Sequence, residues 1–205
     1  VLNAPTGMTS YQWYKDGTAI VGATGSSLSA STSGSYRVLV GNASGCSQLS
    51  TATAIVVNAL PTATMSASGS TTFCQGDSVV LSAPAGYSYL WSNGATTQSI
   101  SAKTAGSYTV TLTNANGCSA TSAATSVTVN TIAVPSVSAN GSTSFCQGGT
   151  VTLSAPSGYS SYLWSTGQSS QSITVSASGS YSVTVTNAAG CTSSSSATSV
   201  VVSAL

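Results

Sequence analysis

Gly179-Ser180-Tyr181-Ser182-Val183-Thr184-Val185-Thr186 is the stretch that decides the fold. Tyr181, Val183 and Val185 alternate with Ser182, Thr184 and Thr186, and Asn187 to Gly190 then turn the chain ahead of Cys191. A strict period of two puts the apolar set on one face and the hydroxyls on the other, the mark of a half-buried strand. The same stretch stands twice earlier. Tyr36, Tyr108 and Tyr181 each sit in a Gly-Ser-Tyr triplet, 72 and 73 residues apart. Cys46, Cys118 and Cys191 follow at the same intervals, each after Gly. Trp91 and Trp164 are 73 apart, whereas Trp13 precedes Trp91 by 78 because the first copy is longer after its Trp. Self-similarity at a fixed period identifies a tandem array, which is read first as a spacer or scaffold.

Composition narrows the class. Charged residues make up 2% of the 205, against about 25% in ordinary soluble domains. Asp16 and Asp77 are the acids, Lys15, Arg37 and Lys103 the bases, and His and Glu do not occur. Ser and Thr supply more than a third of the chain, so its polar surface is hydroxyl rather than ionic. Three cations make no phosphate-binding stripe, which argues against a nucleic-acid partner. Two isolated carboxylates build neither a calcium cage nor a glycosidase pair. A serine nucleophile would lack a His base, so no catalytic residue, cofactor or metal is expected. No apolar run approaches the roughly 18–20 residues of a membrane span.

The strand pattern recurs in each repeat. In the third, Val151 and Leu153 alternate with hydroxyls before Pro156 and Gly158 break the run. Tyr162 and Trp164 flank Leu163, Ile173 opens another run, and Val200 and Val202 close the repeat. Substitutions between repeats tell the faces apart: Val80 matches Thr152 and Leu90 matches Gln12, so these positions point outward. About ten inward side chains per repeat suffice for a thin core between two sheets. Trp13, Trp91, Trp164, Tyr36, Tyr108 and Tyr181 all belong to that set. Roughly seven short strands with a Trp on the third predict an all-β chain of tandem immunoglobulin-like antiparallel sandwiches in a linear array. The repeats are expected at residues 1–60, 61–133 and 134–205.

The run Phe73-Cys74-Gln75-Gly76-Asp77-Ser78-Val79, then Tyr89-Leu90-Trp91-Ser92-Asn93-Gly94, then Gly106-Ser107-Tyr108-Thr109-Val110, then Asn116-Gly117-Cys118 resembles the Ig-like or PKD-like repeats of Bacteroidota surface proteins. Such repeats occur in gliding-motility adhesins and other type IX secretion cargo. The resemblance implies a secreted, extracellular or cell-surface protein, and it is specific for the repeat class rather than for a function. The C-terminal sorting domain of such cargo is absent from these residues. Asp77-Ser78-Val79 also resembles the O-glycosylation motif of that phylum, which makes Ser78 a candidate acceptor. Asn42-Ala43-Ser44 and Asn140-Gly141-Ser142 fit the N-glycosylation sequon as chance matches in an Asn- and Ser-rich chain.

Val1-Leu2-Asn3-Ala4-Pro5 aligns with Val80-Leu81-Ser82-Ala83-Pro84, so the first repeat begins inside its second strand, without its first strand or leading Cys. Two explanations stand: a window on a longer chain, or an open sandwich that accepts a strand from a neighbouring subunit. The cysteines recur in a Ser/Thr-rich β pattern without metal-site spacing, which fits disulfides in an oxidising compartment. Proximity pairs Cys74 with Cys118 and Cys146 with Cys191 inside repeats. Topology objects, because Cys74 and Cys118 fall at opposite ends of one sandwich, roughly 20 Å apart. A disulfide needs Cα atoms within about 7 Å. Where repeats abut in a rod, Cys74 instead reaches Cys191, and the topology favours that bridge.

Two functions compete. Thr109, Thr111 and Thr113, and Ser182, Thr184 and Thr186, form outward hydroxyl rows without the charges that normally protect sheet edges. Net charge is +1, so copies repel little. This predicts a structural stalk or filament segment, in bacterial surface adhesion, whose partners are neighbouring repeats or copies of itself. The alternative is a module that binds surface glycans through its loops and exposed tyrosines, Tyr14 and Tyr87.

Overall fold

The computed structural model describes residues 1–204. Among them there is no helix, and therefore none long and apolar enough to cross a membrane. The chain divides into two compact units: unit 1 comprises Val1–Pro61 with Ala115–Cys118, and unit 2 the intervening residues from Thr62 and those from Ser119 onward.

Unit 1 contains β1 (Leu2–Asn3), β2 (Ser10–Lys15), β3 (Thr18–Ala19), β4 (Ser27–Leu28), β5 (Gly34–Gly41), β6 (Ser47–Leu49) and β7 (Thr53–Ile55). β1 pairs with β4, while β3, β2, β5 and β6 form one antiparallel sheet that β7 joins through β5. Asp16 and Gly17 close the β2–β3 hairpin with φ of 52° and 83°. Two successive positive φ values match the right-handed twist of the flanking strands, which is why an Asp-Gly pair stands here. Ala4, Trp13 and Val38 form the buried centre, with Leu2, Leu28 and Val40 packed against it. Val56 and Val57 remain exposed.

Unit 2 carries one strand pattern twice. The first copy is β8 (Ser66–Ala67), β9 (Thr72–Cys74), β10 (Val79–Ser82), β11 (Ser88–Trp91), β12 (Ser99–Ala102), β13 (Gly106–Tyr108), β14 (Val110–Thr113), β15 (Ser119–Thr121) and β16 (Thr125–Asn130). The second is β17 (Ser138–Asn140), β18 (Ser144–Cys146), β19 (Val151–Ser154), β20 (Ser161–Trp164), β21 (Ser172–Val175), β22 (Gly179–Tyr181), β23 (Val183–Thr186), β24 (Thr192–Ser194) and β25 (Thr198–Ser203). One layer has the order β12-β10-β8; the other combines β11-β14-β15 with β13-β16-β9. All these pairings are antiparallel except β9 with β16, and the second copy repeats them with β18 parallel to β25. Val79, Leu81 and Ile100 from one layer meet Trp91, Tyr108, Val110, Leu112 and Val127 from the other. Val151, Leu153, Ile173, Trp164, Tyr181, Val183, Val185 and Val200 repeat the arrangement. Side chains of this kind stabilise by about 1.5–3 kcal/mol each when fully buried.

Local hydrogen bonds hold the frame. Tyr108 Oη donates to the Thr104 carbonyl at 3.0 Å, Tyr36 Oη to Thr32 at 2.9 Å and Tyr181 Oη to Ala177 at 2.9 Å. This is the tyrosine corner of immunoglobulin-like sandwiches, where the phenol closes the turn ahead of its own strand. Leu81 and Val110 lie fully buried beside Trp91, so an apolar contact occupies the centre where antibody domains carry their inter-sheet disulfide. A serine mends the break between β13 and β14. Ser122 N donates to the Val110 carbonyl at 2.9 Å, and Val110 N donates to Ser122 Oγ at 3.1 Å. Ser195 does the same for Val183, and Ser50 makes the same pair of bonds with Val38 within the continuous β5.

Candidate functional site

The first site is the junction between the two sandwiches of unit 2. Parallel pairing of β9 with β16 sets Cys74 opposite Asn130, at the point where β16 ends. Gln75 N donates to the Asn130 carbonyl at 2.9 Å, and a turn through Gly76 (φ 105°) then leads into β10. The opposing wall is the Asn187–Cys191 turn. Asn187 Oδ1 accepts from the backbone N–H groups of Ala189 and Cys191, each at 3.0 Å, and Gly190 supplies φ of 80°. An Asx turn of this kind is rigid because the side chain mimics a backbone acceptor. Its amide is left to reach outward, and Asn187 Nδ2 donates to the Thr131 carbonyl at 3.2 Å. Cys191, 2% exposed, lies with Sγ 3.9 Å from the Asn130 carbonyl.

Cys74 and Cys191 are bonded, with Cα atoms 5.6 Å apart and a sequence separation of 117. The intra-repeat alternative, Cys74 with Cys118 and Cys146 with Cys191, is not formed. β9 carries Cys74 to the end of its sandwich where β16 finishes, and the Asn187–Cys191 turn of the following repeat packs there. Cys118 belongs instead to the contacts of unit 1, its Sγ 3.9 Å from the Asn58 carbonyl. Cys46 and Cys146 are exposed and outside any disulfide. A disulfide closing so long a loop limits the unfolded chain strongly, by about 2–5 kcal/mol. It also indicates an oxidising compartment.

The second site is a shallow cleft of about 510 Å3 in unit 1, lined by Tyr14, Asp16, Gly17, Ser35, Arg37, Leu39 and Leu49. Tyr14 and Arg37 are cross-strand partners, and Asp16 Oδ1 accepts from Ser35 N at 2.8 Å. In unit 2, β14 with β15 and β23 with β24 carry hydroxyls that satisfy one another. Thr111 pairs with Thr121 at 2.8 Å, Thr113 with Ser119 at 2.9 Å, and Thr184 with Ser194 at 2.8 Å.

Other sequence candidates fall as follows. Trp13, Trp91 and Trp164 are buried, and each indole N–H donates to a backbone carbonyl: Gly25, Thr97 and Ser170. Tyr87 is not an exposed contact: half-buried, it packs against the Trp91 core, because the turn after Gly86 folds it back. Tyr14 is half-buried at the cleft. Ser78 is exposed just ahead of β10. Among the described residues no three His, Cys, Asp or Glu side chains stand where they could hold a metal ion.

Strand order, parallel second strand and tyrosine corner together define a protein of tandem immunoglobulin-like sandwiches. No protein-family model matches the chain, and no curated protein matches it. Among solved structures it is similar to murine CEACAM1b, at 14% identity and a TM-score of 0.33 over 69% of this chain and 100% of that one. It is similar to the fibronectin(III)-like modules of Clostridium thermocellum CbhA, at 16% identity and a TM-score of 0.33 over 68% and 93%. A third is SGBP-B of the Bacteroides ovatus mixed-linkage glucan utilization locus, solved with a mixed-linkage heptasaccharide. It shows 16% identity and a TM-score of 0.22 over 98% of this chain and 61% of that one. Likeness at this level carries no argument about function, and the fold rests on the topology above.

Proposed function

We propose that this chain is a non-catalytic structural repeat segment of an extracellular bacterial filament or adhesin stalk, of the kind found in Bacteroidota surface proteins. The observation that carries the reading is the Cys74–Cys191 bridge, which ties one sandwich to the next rather than closing either. A covalent bond there restricts bending between neighbours, a property a load-bearing spacer needs and a lone binding domain does not. The self-satisfied hydroxyl faces and nearly uncharged edges support packing against further repeats or copies. The repeats correspond to residues 1–60, 61–133 and 134–205, and the exposed Ser78 is a site for surface glycosylation.

The Tyr14–Arg37 cleft favours a second reading, a module that binds surface glycans. An aromatic ring offers a sugar-stacking face, and a guanidinium offers paired donors to hydroxyl or carboxylate oxygens. Sedimentation with insoluble polysaccharide separates the two readings. The structural reading expects ordered self-association without ligand and no retention. Retention lost in Y14A and R37A variants would transfer the function to the cleft.

A further inference from the structure

We propose that the Cys74–Cys191 bond passes axial tension straight from one sandwich to the next, so that residues 75–190, both core tryptophans included, stand outside the load path. The inference deepens the structural reading above and rests on it. The segments left on the path each run in a single direction. β8 pairs antiparallel with β10, which leaves from the turn after Cys74, and β9 pairs parallel with β16. The chain from Ser66 to Cys74 therefore advances steadily toward the end where β16 finishes. There the bond hands the tension to the Asn187–Cys191 turn.

From Cys191 the chain advances again without reversing. β24 runs along β23 from Thr192, opposite Thr186, to Ser194, opposite Thr184. β25 continues along β22 from Thr198, opposite Tyr181, to Val200, opposite Gly179. It then sets Ser203 beside Cys146 of the parallel β18, as β16 sets Asn130 beside Cys74.

These strands have little length to give. A strand rises about 3.3 Å per residue, close to the full reach of the chain. Its ladder bonds cross the strand axis, so an axial pull shears them together instead of opening them one at a time. Thr128 N donates to the Thr71 carbonyl at 2.8 Å and Gln75 N to that of Asn130 at 2.9 Å, which anchors β9. Val201 N donates to the Thr143 carbonyl at 2.8 Å and Gln147 N to that of Ser203 at 2.9 Å, which anchors β25. Trp91 and Trp164 lie inside the closed loop, whereas without the bond the same tension would run through both. Further repeats on either side make this path no longer, because both bonded residues lie inside the chain.

The test is single-molecule stretching of the full chain through peptide tags at its two ends, in wild type and in C74S. C74S is expected to release roughly 400 Å more contour than wild type, since a separation of 117 extends by up to about 3.6 Å per residue. A second variant, Leu112→Val, loosens a core position inside the loop, and circular dichroism verifies that it folds. In the bonded chain it is expected to lower the urea midpoint and leave the rupture forces unchanged, because rupture reads the barrier on the loaded path alone. In the C74S background it is expected to lower both. Equal contour with and without the bond, or rupture forces that fall with Leu112→Val in the bonded chain, would overturn the proposal. Micrographs keep the readings apart: dispersed chains remove the filament and leave the load path standing, while matching traces remove the load path and leave the filament.

Discussion

Cys74 is bonded to Cys191, 117 positions later, although Cys118 is its trailing cysteine within the same repeat. The bond follows from strand direction. The parallel second strand, β9, delivers its cysteine to the end of the sandwich where the last strand finishes, and the next repeat presents its Asn187–Cys191 turn there.

Cutting that bond separates its contribution from the packing around it. C74S is expected to lower unfolding stability by about 2–5 kcal/mol, because the unfolded chain regains the freedom of a long closed loop. Urea denaturation followed by far-UV circular dichroism reads the change, and an unmoved midpoint would show that the junction stands on packing alone.

The turn that meets Cys74 depends on Asn187. N187A removes the acceptor for two backbone N–H groups and the donor to Thr131. A loss of about 1–3 kcal/mol is expected from groups left unsatisfied at the junction. Hydrogen exchange at the amides of Ala189 and Cys191 should rise by at least tenfold, and unchanged protection would refute the role.

Tyr108→Phe isolates the tyrosine corner. The ring keeps its place in the core while the bond to the Thr104 carbonyl disappears, for an expected loss of about 1 kcal/mol. Tyr181→Phe should cost less, since Tyr181 bonds only the Ala177 carbonyl whereas Tyr108 Oη also lies 3.0 Å from the Thr104 hydroxyl. A larger loss for Tyr181→Phe in denaturant titrations would contradict this reading.

Trp91→Ala empties the centre of one sandwich. About 3–5 kcal/mol of destabilisation is expected from lost burial and the cavity left behind. Circular dichroism melts check it, and a loss below about 1 kcal/mol would contradict the placement of Trp91 at the packing centre.

Much of this architecture is legible before any coordinates. Period-two alternation around Tyr108 and Tyr181 announces the strands, and the separation of Cys74 from Cys118 by a strand's length points the disulfide outward. Other features stay hidden for a physical reason. Ser50, Ser122 and Ser195 recur at intervals of 72 and 73, yet more than a third of the chain is Ser or Thr, so these three serines do not stand out. Tyr87 reads as exposed because it lies outside the alternating set, but the turn at Gly86 returns it to the core. The Tyr14–Arg37 cleft depends on cross-strand register, which single-strand periodicity does not specify.

Electron microscopy of the native material, with no ligand added, tests the structural function most directly. The account expects regular fibres or beaded strands whose repeat follows the sandwich array. Dispersed single chains that become ordered only on added polysaccharide would contradict it and move the function to the cleft.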